Sequence, residues 1–318
     1  MHFGRINTRY IIGISGLALI ASTGGAYSWH RQKERQQRFQ PSSAGKKSLA
    51  SMAVTTPFQT LFAVPMTCDG CAKDITGALH KLQGITKVEA NVKEQLVSVE
   101  GTAAPSAIVE AIQATGRDAI LRGSGASNSA AVSILETYHN RSNEEAKTLV
   151  ASPPGSNSWV NERLVRGLAR MVQVSPEETV VDLTVRGVPP GTYRVTIREY
   201  GNLKDGASSA GPVWSAQKDP GHGSSTPRGF LGTVEVGPRG RASAFLNRPF
   251  MVWEVIGHAL VVSRQDESDG KPLRNDEDTV VGIIARSAGV WDNDKTVCSC
   301  TGKTLWEERK DEVSKGML

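Results

Sequence analysis

Apolar and polar positions alternate in two different rhythms between Pro57 and Arg122, which predicts short strands and helices in the order β-α-β-β-α-β. A helix is predicted from Lys73 to Gln83, because apolar residues recur there on one face and a glycine follows. A second helix is predicted to begin at Pro105. The predicted strands are residues 60–64, 88–92, 95–100 and 119–121. This order predicts a ferredoxin-like α+β domain.

The pattern changes after a short segment, residues 123–130, whose glycines and serines predict a flexible linker. From 131 to 287, short alternating strands are separated by Gly- and Pro-rich turns, which is typical of an all-β sandwich or barrel. The clearest strands are 180–185, 193–200, 232–236, 253–262 and 279–285. The apolar periodicity ends at residue 288, so the last 31 residues, 288–318, are predicted to form a flexible tail.

Composition and charge narrow the class of protein. With 318 residues, 39% hydrophobic and 22% charged, the chain is neither disordered throughout, nor collagen-like, nor a multi-span membrane protein. The net charge of +5 is concentrated in residues 1–51, which hold eight basic residues and one acid. The remainder holds 29 basic and 31 acidic residues, so the globular part has no charge pattern that favours nucleic-acid binding.

The N-terminal extension, residues 1–53, is a separate segment. An uncharged stretch from Tyr10 to Trp29 lies between arginines and a basic run, which suits a mitochondrial or membrane-inserting signal. A secretory signal and an extension without a role in the working protein remain alternatives.

The four cysteines form two close pairs, and the first pair lies in the sequence M-T-C-D-G-C. Cys68 and Cys71 lie where the first strand turns into the first helix, and a helix N-terminus favours thiolates. Two thiolates on an exposed loop suit a soft ion of low coordination number such as Cu(I). A structural zinc ion would need four ligands. A thioredoxin-type redox pair and plain surface cysteines remain alternatives.

The second pair, Cys298 and Cys300, lies in the polar tail with one residue between the two cysteines. Two extended residues span roughly 6.6 Å, near the upper Cα separation of a disulfide, so a bond between them is strained. A strained disulfide exchanges readily, and the reduced pair is a second clamp for a soft metal ion.

The first pair and its surroundings resemble the heavy-metal-associated domain of copper chaperones and copper-pumping ATPases. The resemblance implies that Cys68 and Cys71 bind Cu(I) and that Met66 anchors their loop in the core. It also places Arg117 where cytosolic copper chaperones usually have a lysine near the metal. A solvated loop arginine is the alternative for Arg117.

The all-β region resembles the copper/zinc superoxide dismutase sandwich, a Greek-key fold, in V-P-P-G-T-Y-R-V-T-I-R-E-Y-G-N and S-S-A-G-P-V-W. Where that family has copper-binding histidines, this chain has other residues: Thr196, Arg198, Val213 and Ser263. Ala207 and Val281 stand where the family's disulfide cysteines lie. We therefore expect that this domain does not dismutate superoxide as the family does.

The three regions in this order, across residues 54–313, resemble the family of copper chaperones for superoxide dismutase. The resemblance implies a chain that docks on copper/zinc superoxide dismutase as a heterodimer and uses Cys298 and Cys300 to transfer Cu(I) and promote the client's disulfide. The implied contact residues are Gly201, Ile256, Gly257 and Ile283. Packing within the sandwich is the alternative for these four residues.

The predicted division is an extension (1–53), a copper-binding domain (54–122), a linker (123–130), a sandwich (131–287) and a tail (288–318). We expect a cytoplasmic protein that is not an enzyme, with a pool in the mitochondrial intermembrane space if the extension directs it there. Membrane contact is expected only through that extension, and a homodimer is a further expectation. A copper-dependent oxidoreductase or divergent dismutase, and a passive thiol copper buffer, remain alternative functions.

Overall fold

The computed structural model describes residues 54–139, 164–215, 226–267, 271–293, 295, 297 and 301–314. The N-terminal extension, residues 1–53, lies outside these residues, and so do Cys298 and Cys300. In the described ranges, no helix is both long enough and apolar enough to cross a membrane.

The first domain, residues 58–124, is an antiparallel sheet of four strands with two helices. Its strands are β1 (Phe58–Ala63), β2 (Ile85–Asn91), β3 (Leu96–Gly101) and β4 (Ile120–Ser124), and its helices are α1 (Asp69–Leu79) and α2 (Pro105–Gln113). The strands lie in the order β2-β3-β1-β4. The predicted order of elements, βαββαβ, is therefore confirmed.

The core of the first domain explains why these elements form. Phe62 of β1 and Val97 of β3 are fully buried against the helices, where they meet Ile75, Leu79 and Ile112. Helix α1 begins four residues before the predicted start, because its first turn, Asp69–Ala72, is polar or small and carries no apolar period.

The second domain is an eight-stranded antiparallel barrel, residues 130–287. Its strands are β5 (Ala130–Thr137), β6 (Val165–Ser175), β7 (Glu178–Arg186), β8 (Gly191–Ile197), β9 (Phe230–Val236), β10 (Arg241–Arg248), β11 (Ala259–Ser263) and β12 (Thr279–Ser287). They lie in the order β10-β7-β6-β5-β12-β11-β8-β9. The two end strands, β9 and β10, lie beside each other in space, so the barrel is nearly closed.

Alternate residues of the barrel strands point inward and form one apolar core. Its largest members include Tyr193, Leu135, Met171, Leu183 and Phe250. The order of strands and this core confirm the predicted Greek-key sandwich.

Two segments differ from the predicted pattern. The region from Trp253, predicted as a strand, begins with a short helix, α3 (Val252–Val255), because the Glu254 carboxylate accepts the Met251 N–H at 2.8 Å. The tail, residues 288–318, contains a helix, α4 (Leu305–Ser314), where no regular element is predicted. Thr304 and Glu307 cap α4: the Thr304 N–H donates to the Glu307 carboxylate at 2.7 Å.

The two domains contact each other beside the predicted linker. The Ser106 N–H and hydroxyl, at the start of α2, donate to the Asp182 carboxylate of β7 at 2.8 and 2.6 Å. The predicted linker, residues 123–130, is also hydrogen-bonded to residues before and after it in the chain: the Gly125 N–H donates to the Gln59 carbonyl and the Ser124 N–H donates to the Ala288 carbonyl.

Candidate metal-binding site

The first cysteine pair lies at the turn from β1 into α1. Cys68 is the residue before the helix, in an extended backbone conformation, and Cys71 is in the first helical turn. The Cys71 N–H donates to the Cys68 carbonyl at 3.0 Å, which brings the two side chains to the same side of the loop. Their Sγ atoms are 3.6 Å apart, Cys68 is exposed and Cys71 is half-exposed. Both sulfurs are therefore accessible to one ion.

Met66 lies beneath this loop. Its side chain is 2% exposed and belongs to the core cluster of the first domain, with Phe62 and Ile75. The loop that carries the two cysteines is therefore attached to the core two residues before Cys68.

Arg117 reaches the cysteine pair from the turn before β4. Its guanidinium forms an ion pair with Asp74 at 3.3 Å and donates to the Thr115 carbonyl at 3.1 Å, and it lies near enough to the Cys71 sulfur for the two groups to shift each other's pKa. These contacts orient the cation toward the sulfur rather than toward open solvent.

Hydrogen bonds to the sulfur stabilise the Cys71 thiolate. The Thr67 backbone N–H contributes most, followed by the Arg117 guanidinium, the Thr67 hydroxyl and Cys68, and together they lower the pKa of Cys71 from 9.0 to about 6. Cys71 is therefore an anion at neutral pH. The thiolate in turn raises the pKa of Arg117, because it stabilises the charged guanidinium.

The chemistry of this site is that of a soft, low-coordinate metal ion. A thiolate, a second thiol 3.6 Å away and a cation that offsets their charge suit a monovalent ion such as Cu(I). Within the residues that the structure describes, no three His, Cys, Asp or Glu side chains come together as metal ligands. Cys298 and Cys300 lie outside those residues; the flanking residues Val297 and Thr304 form an antiparallel bridge.

The barrel has a buried ion pair where the related dismutase sandwich has metal ligands. Arg198 is 3% exposed and its guanidinium pairs with the Glu267 carboxylate at 2.7 Å. The same guanidinium donates to the Gly211 carbonyl at 2.6 and 2.9 Å and to the Thr196 hydroxyl at 3.4 Å. Val213 pairs with the Arg198 backbone, so three of the four substituted positions lie together.

The side chains at the remaining substituted positions also form hydrogen bonds or apolar contacts within the barrel. The Ser263 and Thr279 hydroxyls are 2.8 Å apart and both residues are buried. Ala207 and Val281 belong to one apolar cluster, where they pack without a covalent link. None of these side chains is an imidazole or a thiol, so the barrel lacks the donors of a redox copper site at these positions.

The structure brings together the four residues predicted to contact a client. A Cβ atom on Gly201 would lie 1.7 Å from the Gly257 carbonyl oxygen and 3.6 Å from the Ile283 side chain. Both glycines are exposed, whereas Ile283 and the neighbouring Ile256 are half-buried. Gly201, Gly257 and Ile283 thus lie together, whereas the Ile256 side chain packs against the main barrel core and Ile283 against a separate apolar cluster.

Sequence reasoning missed several residues of these two regions. The donor Thr67 stands next to Cys68 in the motif, but a threonine in a loop has no signal that marks it as a thiolate donor. Tyr200 and Trp253 are 56% and 63% exposed, and the predicted strands placed them in alternating patterns without indicating their exposure. The capping pair Thr304 and Glu307 had a readable signal, since Thr-x-x-Glu is the pattern of a capping box.

Comparisons with known proteins match both domains. Residues 60–118 match the heavy-metal-associated domain family, and residues 165–286 match the copper/zinc superoxide dismutase family. The chain is 40% identical over 272 residues to the superoxide dismutase 1 copper chaperone of Debaryomyces hansenii, with 83% of this chain and 99% of the relative covered. It is 36% identical over 266 residues to the same-named protein of Saccharomyces cerevisiae, with 83% and 98% covered. The copper chaperone for superoxide dismutase of Homo sapiens is 31% identical over 261 residues, with 78% and 88% covered.

Proposed function

The chain belongs to the family of copper chaperones for superoxide dismutase, and on that premise we propose that it binds copper as Cu(I) and delivers it to copper/zinc superoxide dismutase. The observation that carries the proposal is the paired sulfurs of Cys68 and Cys71, 3.6 Å apart and beside the Arg117 cation. The chain acts as a metallochaperone and copper is its cargo.

Copper acquisition belongs to the first domain. Cys68 and Cys71 supply two soft ligands, and a thiolate at Cys71 binds the ion without first losing a proton. Arg117 offsets the negative charge that a bis-thiolate copper centre carries. Met66 holds the loop on the core, so the loop stays attached to the domain while the ion enters and leaves.

Client docking belongs to the barrel. The patch of Gly201, Ile256, Gly257 and Ile283 is the surface through which the barrel forms a heterodimer with a dismutase subunit. Support comes from the close approach of the exposed Gly201 and Gly257 backbones beside the half-buried side chain of Ile283. The same patch serves a homodimer when no client is present.

Transfer belongs to the tail. Cys298 and Cys300 take up Cu(I) and pass it to the client through stepwise exchange of thiolate ligands. Tethering to a docked barrel raises the effective concentration of this dithiol at the client's copper site. The copper-free pair, once a two-electron oxidant such as molecular oxygen has converted it to a disulfide, also oxidises the client. A client thiolate attacks one tail sulfur and forms a mixed disulfide, a second client thiolate attacks the client sulfur of that bond, and the tail leaves as a dithiol.

We place the protein in the cytoplasm, with a mitochondrial pool directed by residues 1–53. The clustered basic charge and the uncharged stretch of that extension support this placement. Sequencing the N-terminus of protein isolated from the two compartments tests it, because an imported and processed pool has a shortened chain.

The test of delivery is a maturation assay with purified proteins. The Cu(I)-loaded chain is mixed with reduced, copper-free superoxide dismutase, and dismutase activity and disulfide content are followed. We expect the wild-type chain to activate the client and the Cys298→Ser, Cys300→Ser variant to leave it inactive. Cys68→Ser with Cys71→Ser is expected to slow activation when copper is limiting, because the first domain no longer acquires the ion.

The same assay separates the alternative functions. A passive thiol buffer predicts that the Cys298→Ser, Cys300→Ser variant still supports maturation at equal copper loading. An oxidoreductase or divergent dismutase predicts that the copper-loaded chain alone consumes superoxide. The buried Arg198–Glu267 ion pair argues against the dismutase alternative, because it places a fixed cation where the dismutase family has metal ligands.

A further inference from the structure

The two faces of the first domain's sheet have different partners. One face packs under α1 and α2, as the burial of Phe62 and Val97 shows. On the opposite face, Leu61 and Ala63 are also buried, at 2% and 4% exposure. A sheet face opposite its helices is solvent-exposed unless another element covers it, so the burial of this face requires a cover.

The described parts of the C-terminal segment, residues 289–293 and 301–314, lie beside this outer face. Leu61, Ala63 and Leu96 of the sheet line a cavity of about 680 Å³ whose other wall includes the tail residues Trp291, Leu305 and Trp306. Leu305 and Trp306 open α4 and are half-buried. Leu305 and Trp306 therefore shield part of this face from solvent, whereas Trp291 stays 58% exposed at the edge of the cavity.

Two arginines fix the segment on the first domain. The Arg309 guanidinium of α4 makes a two-pronged contact with the Asp118 carboxylate, at 2.9 and 2.8 Å. The Arg122 guanidinium of β4 donates to the Lys295 carbonyl at 2.8 Å and also to the Asn293 carbonyl. Paired arginine contacts of this kind define orientation as well as proximity.

Arg309 also lies near the barrel. Burial is the main cause that lowers the pKa values of Arg170 and Arg186 there, and the positive charge of Arg309 is the smallest contributor to each. Asp118 follows Arg117, the residue whose guanidinium contacts Cys71. The Asp118–Arg309 ion pair thus connects α4 to the turn that faces the first cysteine pair.

We propose that the outer face of the first domain's sheet is a docking surface for this chain's own C-terminal segment, held by the Asp118–Arg309 ion pair until a client subunit draws the segment away. This inference rests on the proposed function only for the role of the client. In the client-free protein the docked segment, which carries the second dithiol in its sequence, is kept on the copper-acquiring domain. Delivery then begins with release of α4.

Hydrogen exchange of the α4 amides tests docking in the copper-free, full-length chain. Arg309→Gln is expected to speed exchange about fivefold to tenfold, the effect of losing a partly buried, two-pronged ion pair. Asp118→Asn is expected to act in the same way. Lys310→Gln, the matched control, removes a cation from the exposed side of the same helix and is expected to leave the exchange rates unchanged.

The result that would overturn the proposal comes from these two variants. If either Arg309→Gln or Asp118→Asn leaves the α4 exchange rates unchanged, docking through this ion pair is wrong. Neither outcome involves copper or a client, so neither one tests the proposed delivery function.

The client arm uses reduced, copper-free superoxide dismutase added to the wild-type chain. Exchange of the α4 amides is expected to rise toward the rate of Arg309→Gln as the client binds. An unchanged rate at saturating client would mean that the segment stays docked, and release by the client would be wrong.

Discussion

Replacing Arg198 by methionine tests whether a guanidinium has taken over the structural role of metal ligands in the barrel. The substitution keeps an apolar side chain of similar length but leaves the Glu267 carboxylate without its partner at 2.7 Å. It also removes the donors to the Gly211 carbonyl and the Thr196 hydroxyl. Breaking a buried ion pair costs about 3–5 kcal/mol, and because the Glu267 side chain keeps 18% exposure to water we expect about 3 kcal/mol.

The measurement is urea unfolding followed by tryptophan fluorescence, since Trp214 is buried in the barrel core. Arg274→Met is the matched control, because that arginine is 78% exposed in its pair with Asp276 and its loss is expected to cost under about 0.5 kcal/mol. Adding Glu267→Gln to Arg198→Met should recover at least half of the loss, because no unpaired charge remains. A loss under about 1 kcal/mol for Arg198→Met would refute the structural role of the ion pair.

Three further outcomes follow from the geometry. Alkylation of Cys71 in the copper-free chain should rise with pH through a midpoint of about 6, since the reactive thiolate forms there, and Arg117→Met should move the midpoint upward; an unmoved midpoint contradicts the role of the guanidinium. Ser106→Ala should destabilise the contact between the domains by about 1.5 kcal/mol, because a hydroxyl bond to the buried Asp182 carboxylate is lost, and proteolysis in the segment 123–130 should then quicken. Gly201→Ala should weaken binding to a dismutase subunit, measured by sedimentation, because its Cβ would overlap the Gly257 carbonyl oxygen; unchanged binding would place the client contact elsewhere.

The fold was predictable where one face of an element is apolar. The alternation of Val88 and Ala90 along β2 and the apolar recurrence of Ile75 and Leu79 predicted the order of the first domain, because burial of one face is what those periods report. The start of α1 was not predictable, because its first turn is stabilised by the backbone hydrogen bond from Cys71 to Cys68 rather than by side-chain burial.

Helix α4 shows the opposite case. Its docking uses a charged contact, Arg309 with Asp118, and two apolar residues confined to its first turn, so it has no apolar stripe for a periodicity argument to detect. Local chemistry did mark its start, at Thr304 and Glu307, but a capping box fixes only where a helix begins.

The loop that we propose binds copper was predictable as a pair of cysteines, but the groups around those cysteines were not. The spacing of Cys68 and Cys71 indicates a soft-metal clamp from sequence alone. The thiolate at Cys71 depends on Thr67 and on Arg117, and Arg117 comes from a turn 46 residues away in sequence, where resemblance but not spacing pointed to it.

Protected transfer is the most direct test of the account. The Cu(I)-loaded chain is mixed with reduced, copper-free superoxide dismutase in the presence of excess Cu(I) chelator, and the copper content of the re-isolated dismutase is measured. Delivery through a docked complex predicts that the client acquires copper from the wild-type chain and almost none from the Cys298→Ser, Cys300→Ser variant. If the chelator captures the copper in both cases, the ion passes through solution and the chain is not a docking chaperone.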